Sequence, residues 1–132
     1  MSDAVSLTNS VAGGLVLATF DNTQLSNNGT GLNANSRSRA SLRNCTVSTN
    51  TNNGVTVGGT SDTEVKITES TLTYNPSAVL VNLGVARVGQ NLITGNNTGL
   101  NNVGGTIETY SNNQLRGNTS NTAGTITAVP ET

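Results

Sequence analysis

The acidic side chains are the residues of this chain with the greatest scope for chemistry. Asp21 and Glu69 form the best candidate pair, because they stand seven and six residues before two recurring asparagines, Asn28 and Asn75. If the chain winds in stacked coils, the two acids lie two turns apart, at about 10 Å, which suits the paired carboxylates of an inverting glycosidase. Two solvated surface carboxylates are the alternative interpretation. We prefer that alternative and assign no catalytic residue.

Metal and nucleophile chemistry have few candidates. Asp62 and Glu64 lie in the longest loop, GGTSDTE (58–64), whose oxygen atoms make it a candidate calcium site. Zinc is excluded because the chain has one cysteine and no histidine. The same lack of histidine excludes a Ser–His–Asp triad and leaves Cys45 without an activating base, so Cys45 is predicted to be a small buried residue. Calcium apart, no cofactor is predicted.

The basic residues form no cluster. Arg37 and Arg39 (SRSR) are the closest pair and are predicted to lie in a solvated loop, while Arg43 and Arg87 are predicted to have no column of acids beside them. With a net charge of −1, nucleic acid is excluded as a partner, because binding phosphates requires clustered Lys and Arg. No stretch approaches the about 20 apolar residues of a membrane span, and MSDAVSLTNS does not resemble a signal peptide.

The elements that must position these side chains are built on five variants of one hexamer. They are TQLSNN (23–28), CTVSTN (45–50), STLTYN (70–75), NLITGN (91–96) and NQLRGN (113–118). Their final asparagines recur at intervals of 22, 25, 21 and 22 residues. An aliphatic residue stands three places before each Asn: Leu25, Val47, Leu72, Ile93 and Leu115. Chance recurrence in an Asn-rich chain would not preserve that coupled position.

Two further recurrences complete each period. Small residues followed by aliphatic ones occur in GLVL (14–17), GL (31–32), GVTV (54–57), AVLV (78–81) and GL (99–100). A third apolar segment occurs in ASL (40–42), EVKI (64–67), ARV (86–88) and GTI (105–107). Each period therefore predicts three short strands separated by turns. Antiparallel hairpins at the two Asn-Gly pairs are the alternative, but a constant period favours coils that lie directly on one another.

The coiled arrangement predicts which residues form the interior and which form the corners. Adjacent turns stack as parallel strands about 4.8 Å apart, and the five aliphatic residues form an inward column. Each turn is too thin to bury its own apolar atoms, so burial occurs between neighbouring turns. The five asparagines are predicted to occupy corners in left-handed backbone geometry and to form a ladder of hydrogen bonds along the stack.

These repeats resemble the right-handed parallel β-helix family, in the pectate-lyase-like superfamily, over residues 5–127. The segment GGTIETYSNNQLRGNTSNTAGTIT is similar to the last turns of small bacterial β-helix-repeat proteins of unassigned activity. The predicted fold is an all-β, right-handed parallel solenoid of about six turns with about 22 residues per turn. It forms one domain over residues 1–132, with a C-terminal tail at 128–132. The resemblance also implies an extracellular or surface-associated location.

Function is less constrained, because this fold hosts lyases, hydrolases, adhesins and phage tail proteins. The leading hypothesis is a non-enzymatic structural or adhesion module, since no carboxylates are grouped. Neither end is predicted to be well capped, and the apolar first turn predicts association end to end or laterally. A carbohydrate-active protein, lyase or glycoside hydrolase, or a fragment of one, is the competing hypothesis. Glycan binding without cleavage is the third, with Tyr74 and Tyr110 as the available tyrosines.

Overall fold

Short strands wound into a parallel coil make up the computed structural model, which describes residues 1–130. Each of the first fourteen strands pairs in parallel with the strand three places later, so each complete coil gives one strand to each of three sheets. Sheet A contains β1 (Val5–Leu7), β4 (Thr30–Ala34), β7 (Asn53–Val57), β10 (Ser77–Val81), β13 (Thr98–Asn102) and β16 (Ser120–Ala123). Sheet B contains β2 (Val16–Asp21), β5 (Ser38–Arg43), β8 (Glu64–Thr68), β11 (Val85–Gly89), β14 (Thr106–Tyr110) and β17 (Thr127–Val129). Sheet C contains β3 (Gln24–Ser26), β6 (Thr46–Ser48), β9 (Thr71–Thr73), β12 (Leu92–Thr94) and β15 (Gln114–Leu115).

The coil is confirmed, with small differences in extent. There are five complete coils followed by β16 and β17, where about six turns were predicted. Strand β17 pairs with β14 and ends at Val129, directly before Pro130, so Ala128 and Val129 belong to a coil rather than to the predicted tail. Glu131 and Thr132 lie outside the described residues.

The predicted inward column is confirmed. In sheet C, Leu25, Val47, Leu72, Ile93 and Leu115 are paired in register on successive strands. The first four of them are at most 4% exposed, and Leu115 packs partly buried against the same core. Val47 Cγ1 lies beside Gly31 of its own coil and Gly54 of the next, so the core is packed both within a coil and between neighbouring coils.

The asparagine ladder is also confirmed. The backbone N–H of Asn50 donates to Asn75 Oδ1 at 3.2 Å, and that of Asn75 donates to Asn96 Oδ1 at 2.9 Å. The side-chain amides of both residues donate to the same acceptors, at 2.9 and 3.1 Å. The ladder continues to Asn28 at one end and Asn118 at the other. It satisfies polar groups that the sharp corner removes from the sheets.

The left-handed backbone, however, is not where it was predicted. None of the five ladder asparagines has positive φ; the residue before each one does. Those residues are Asn27, Thr49, Tyr74, Gly95 and Gly117, with φ between 53° and 74°. The left-handed residue turns the chain sharply. The asparagine that follows can then keep an ordinary backbone while its amide enters the ladder.

A second ladder, which the sequence did not predict, runs along the corner between sheets B and C. The N–H of Cys45 donates to Ser70 Oγ at 3.1 Å, and that of Ser70 to Asn91 Oδ1 at 2.9 Å. The N–H of Asn91 donates to Asn113 Oδ1 at 3.0 Å. Cys45 is only 2% exposed, which confirms the prediction that it is a small buried residue.

Two local assignments were wrong. The recurrence that GLVL (14–17) shares with GVTV (54–57) and AVLV (78–81) predicts that these segments lie in one sheet, but Val16 pairs with Ser38 in sheet B, whereas the other two segments lie in sheet A. The first coil instead begins at β1, and a long corner over residues 8–15 separates β1 from β2. Arg39 lies in strand β5 and not in a loop, because alternate residues of Ser38–Arg43 face the core. Its side chain therefore extends from the outer face of sheet B.

Candidate binding face

Charge is concentrated on one face of the coil. Of the six basic and seven acidic residues, seven occupy outward positions on strands of sheet B. They are Asp21, Arg39, Arg43, Glu64, Lys66, Arg87 and Glu108. The alternation of the strand places them outward, because every second residue of β5, β8 and β11 is buried in the core. This surface is called the sheet B face.

Arg87 is the centre of an ion-pair network. Its Nε donates to Glu108 Oε2 at 2.8 Å, and its Nη1 bonds to Glu64 Oε1. Partial burial lowers the pKa of Arg87, but the hydrogen bond with Glu108 and the negative charges of Glu64 and Glu108 outweigh this and raise the pKa above its ordinary value. The prediction that Arg87 has no acids beside it was wrong.

Arg43 separates the two acids that the sequence paired. Asp21 is in register with Arg43, which is in turn in register with Thr68 on the next strand. Glu69 follows Thr68 at the corner, where its Oε2 lies 3.4 Å from Arg43 Nε. Arg43 thus also has an acidic neighbour, against the prediction. The Asp21–Glu69 catalytic pair remains a prediction, with a guanidinium on the strand between the two carboxylates.

A groove of about 290 Å³ opens on the sheet B face beside this network. Arg39 and Lys66 line it, together with the hydroxyl residues Thr19 and Ser41 and the exposed Leu17. Neither Arg39 nor Lys66 forms an ion pair with another residue in the described part of the chain. Glu64 also lines the groove, and its carboxylate forms an ion pair with Arg87. The groove therefore presents two cations that form no direct ion pair, although Glu64 is in register with Arg39 and the charge of Arg39 helps to lower the pKa of Asp62.

The two acids of the predicted calcium loop, Asp62 and Glu64, interact with other side chains. The hydroxyl of Thr60 donates to Asp62, and this hydrogen bond holds the pKa of the Asp62 carboxyl below its usual range. Glu64 begins β8 and pairs with Arg87. Among residues 1–130, no three acidic, histidine or cysteine side chains are grouped so that they could hold a metal ion. Calcium binding stays a prediction.

A second groove, of about 380 Å³, lies along the corner between sheets B and C. Its walls carry the amide side chains of Gln90, Asn112 and Gln114, beside Glu69 and the partly exposed Leu92. The sequence does not reveal this groove, because its residues share no repeat position as strict as that of the ladder asparagines. The amides provide both donors and acceptors for a neutral polar ligand.

The two tyrosines differ in exposure and lie on different parts of the coil. Tyr74 is 67% exposed at the corner between sheets C and A, where its ring lies over Gly95. Tyr110 ends β14 and is half-buried, with its ring beside Gly89. The tyrosines therefore belong to different faces and do not form a joint platform for a sugar.

Comparison with known sequences gives a family and no closer relative. The family described as "Right handed beta helix region" matches residues 3–128. No curated protein matches the chain, and no solved structure does. Within residues 1–130 there is no helix long and apolar enough to cross a membrane.

Proposed function

Because the chain belongs to the right-handed β-helix family, we propose that it is a non-enzymatic scaffold and adhesion module that binds an anionic surface polymer on the sheet B face. Family membership defines the fold and leaves the function to particular sites. One observation carries the proposal: Arg39 and Lys66 line a groove and form no direct ion pair among the described residues, while the Glu64 carboxylate in the same groove is paired with another arginine.

The same pairing argues against catalysis by these acids. A general acid needs a raised pKa and a general base needs a free carboxylate. Arg43 Nε lies 3.4 Å from Glu69 Oε2 and so occupies one oxygen of that carboxylate. A rigid row of paired charges on a solenoid face instead provides fixed contacts for a long partner.

Binding and turnover can be measured on the same polymers. The probes are polygalacturonate, a sulfated glycosaminoglycan and a neutral β-glucan, each immobilised for a binding assay and free for an assay of new reducing ends. We expect salt-sensitive binding to the two anionic polymers, weaker binding to the neutral one, and no turnover. The double substitution Arg39→Ala/Lys66→Ala should reduce binding at least about tenfold.

Arg116→Ala is the matched control, because Arg116 follows β15 on sheet C and lies away from the groove. Equal losses in the control and the double variant would contradict a site at the groove. Cleavage of any polymer that is abolished by Asp21→Ala or Glu69→Ala would replace the proposal with the carbohydrate-active alternative.

A further inference from the structure

The second groove, called here the corner groove, lies directly over the second ladder. Its walls are the residues just before and just after the ladder members of three successive coils. They are Glu69, Gln90 and Asn112 on one side, and Thr71, Leu92 and Gln114 on the other. Between the walls lie the ladder residues Ser70 and Asn91, which are only 4% and 2% exposed. The groove therefore runs along the coil axis, from one coil to the next, and not along a strand.

The wall beside sheet B is formed by residues with an unusual backbone. Glu69 and Gln90 have φ of 50° and 57°, and Asn22 and Asn44 have 53° and 52° at the equivalent corners of earlier coils. This left-handed conformation is unfavourable for a residue with a Cβ, and such local strain recurs at binding sites. Glu69 and Gln90 are both exposed there.

The amides of the corner groove have hydrogen-bonding capacity to spare. The backbone N–H of Gln90 donates to Asn112 Oδ1 at 2.9 Å, which positions that side chain and leaves its Nδ2 as a donor. Among residues 1–130, no hydrogen bond to another residue engages the side-chain amide of Gln90 or of Gln114. An amide offers a donor and an acceptor side by side. Two neighbouring hydroxyl groups of one ligand can bind to both at once.

Apolar surface stands next to these amides. Leu92 is 37% exposed within the groove. A Cβ on Gly89 would lie 2.9 Å from Tyr110 Cδ2 and 3.5 Å from Asn112 Oδ1. The Tyr110 ring and the Asn112 amide therefore meet above Gly89, at the sheet B side of the groove. A ligand with both hydroxyl groups and C–H faces matches this combination of amides, leucine and aromatic ring.

Other classes of ligand fit the corner groove less well. Glu69 is the only charged residue among those that line it, so no lining cation is present to hold a phosphate or carboxylate. A peptide cannot add to sheet C as a further strand here, because β9 and β12 are each paired on both sides. The groove volume of about 380 Å³ is within the range of small-molecule sites.

We infer that the corner groove binds a neutral saccharide whose chain runs along the coil axis. The hydroxyl groups bind to the amides of Gln90, Asn112 and Gln114, and the C–H faces pack on Leu92 and Tyr110. Coils about 4.8 Å apart match the advance of one hexopyranose unit in an extended chain, so successive coils contact successive units. This site is separate from the cations of the sheet B face and does not depend on anion binding there.

NMR titration of the ¹⁵N-labelled chain tests the inference. The probes are three neutral pentasaccharides: a β-1,4-glucan, a β-1,3-glucan and a β-1,4-mannan. We expect at least one of them to shift the amide resonances of Gln90, Leu92 and Gln114, with a dissociation constant of about 1 mM. Raising the salt concentration to about 0.5 M should leave that constant unchanged, because the ligand carries no charge.

Substitutions locate the site. Gln90→Ala/Gln114→Ala should weaken saccharide binding at least about tenfold, because two hydrogen bonds are lost. Tyr110→Ala should also weaken it, whereas Tyr110→Phe keeps the ring and should bind normally. Gln24→Ala is the matched control, because Gln24 is exposed at the same position of sheet C, on β3, outside the groove. Circular dichroism verifies that each variant keeps the β-sheet signal.

The two binding proposals fail separately. Arg39→Ala/Lys66→Ala should leave saccharide binding intact, and Gln90→Ala/Gln114→Ala should leave binding of anionic polymers intact. The absence of any shift with all three probes at about 10 mM would overturn the inference about the corner groove. So would shifts centred on Arg39 and Lys66, salt-sensitive binding, or equal losses in Gln24→Ala and the double glutamine variant.

Discussion

At the scale of single residues, Arg87 stabilises the sheet B face by holding two glutamates with one guanidinium. Its side chain is 30% exposed, and those of Glu64 and Glu108 are 34% and 28% exposed. Ion pairs at this depth keep part of their Coulomb energy, whereas fully exposed pairs lose most of it to water. Removal of the cation would leave two carboxylates facing each other across the strand that carried it.

We therefore expect Arg87→Met to lower the free energy of unfolding by about 1–2 kcal/mol. Arg43→Met is the control, because its ion pair with Glu69 is more open, with side chains 60% and 44% exposed. It should cost less than about 1 kcal/mol. Urea denaturation followed by circular dichroism measures both. Equal effects of the two substitutions would show that burial does not set the strength of these pairs.

The network around Arg87 could not be read from residue spacing alone. Counting back from the ladder asparagines places Arg87 nine residues before Asn96 and Glu108 ten residues before Asn118. The two nevertheless pair in register. One extra residue in the corner after Tyr110 accounts for the difference, because three residues lie between Tyr110 and Gln114 and two lie between Gly89 and Leu92. A one-residue change in a corner is enough to hide an ion pair from a period count.

At the scale of elements, the asparagine ladder ties each corner to the next. Asn75 is 2% exposed, accepts hydrogen bonds from Asn50 and donates to Asn96 and to the carbonyl of Val47. Asn75→Ala leaves several of these buried groups without partners, so we expect a loss of about 3–5 kcal/mol in unfolding free energy.

Asn97→Ala is the matched control for the ladder, because Asn97 is exposed and pairs with Asn75 through its backbone. It should change stability by no more than about 0.5 kcal/mol. A small effect of Asn75→Ala in the same denaturation experiment would show that water replaces the ladder bonds without cost.

Close packing between coils explains why small residues stand near the start of the sheet A strands. A Cβ on Gly54 would lie 2.6 Å from the carbonyl oxygen of Ala78 and 3.2 Å from Val47 Cγ1. Gly54→Ala should therefore destabilise the fold by about 1–3 kcal/mol. A Cβ on Gly58 would meet its nearest atom, Asn82 Cβ, at 3.6 Å. Gly58→Ala should be neutral or stabilising by up to about 1 kcal/mol. Thermal unfolding of the two variants decides between them.

The two ladders show which elements a sequence reveals. The first was predictable because Asn50, Asn75 and Asn96 are identical and each follows an aliphatic residue at a fixed spacing. The second uses Cys45, Ser70 and Asn91, which share a position but no side-chain type. Hydroxyl and amide oxygens accept the same backbone hydrogen bond, and cysteine needs only to donate its N–H. These three residues therefore occupy equivalent positions in successive coils, although their side chains differ in type.

At the scale of the molecule, stability is expected to fall from the middle of the stack toward its ends. Each coil packs only on its neighbours, so a terminal coil can open without disturbing the rest. We expect the amides of Val79 and Ala86, both 0% exposed, to exchange with deuterium at least about tenfold more slowly than those of Val5 and Val129, a difference of about 1.4 kcal/mol. Uniform protection along the whole chain would instead mean that all coils open in one cooperative step.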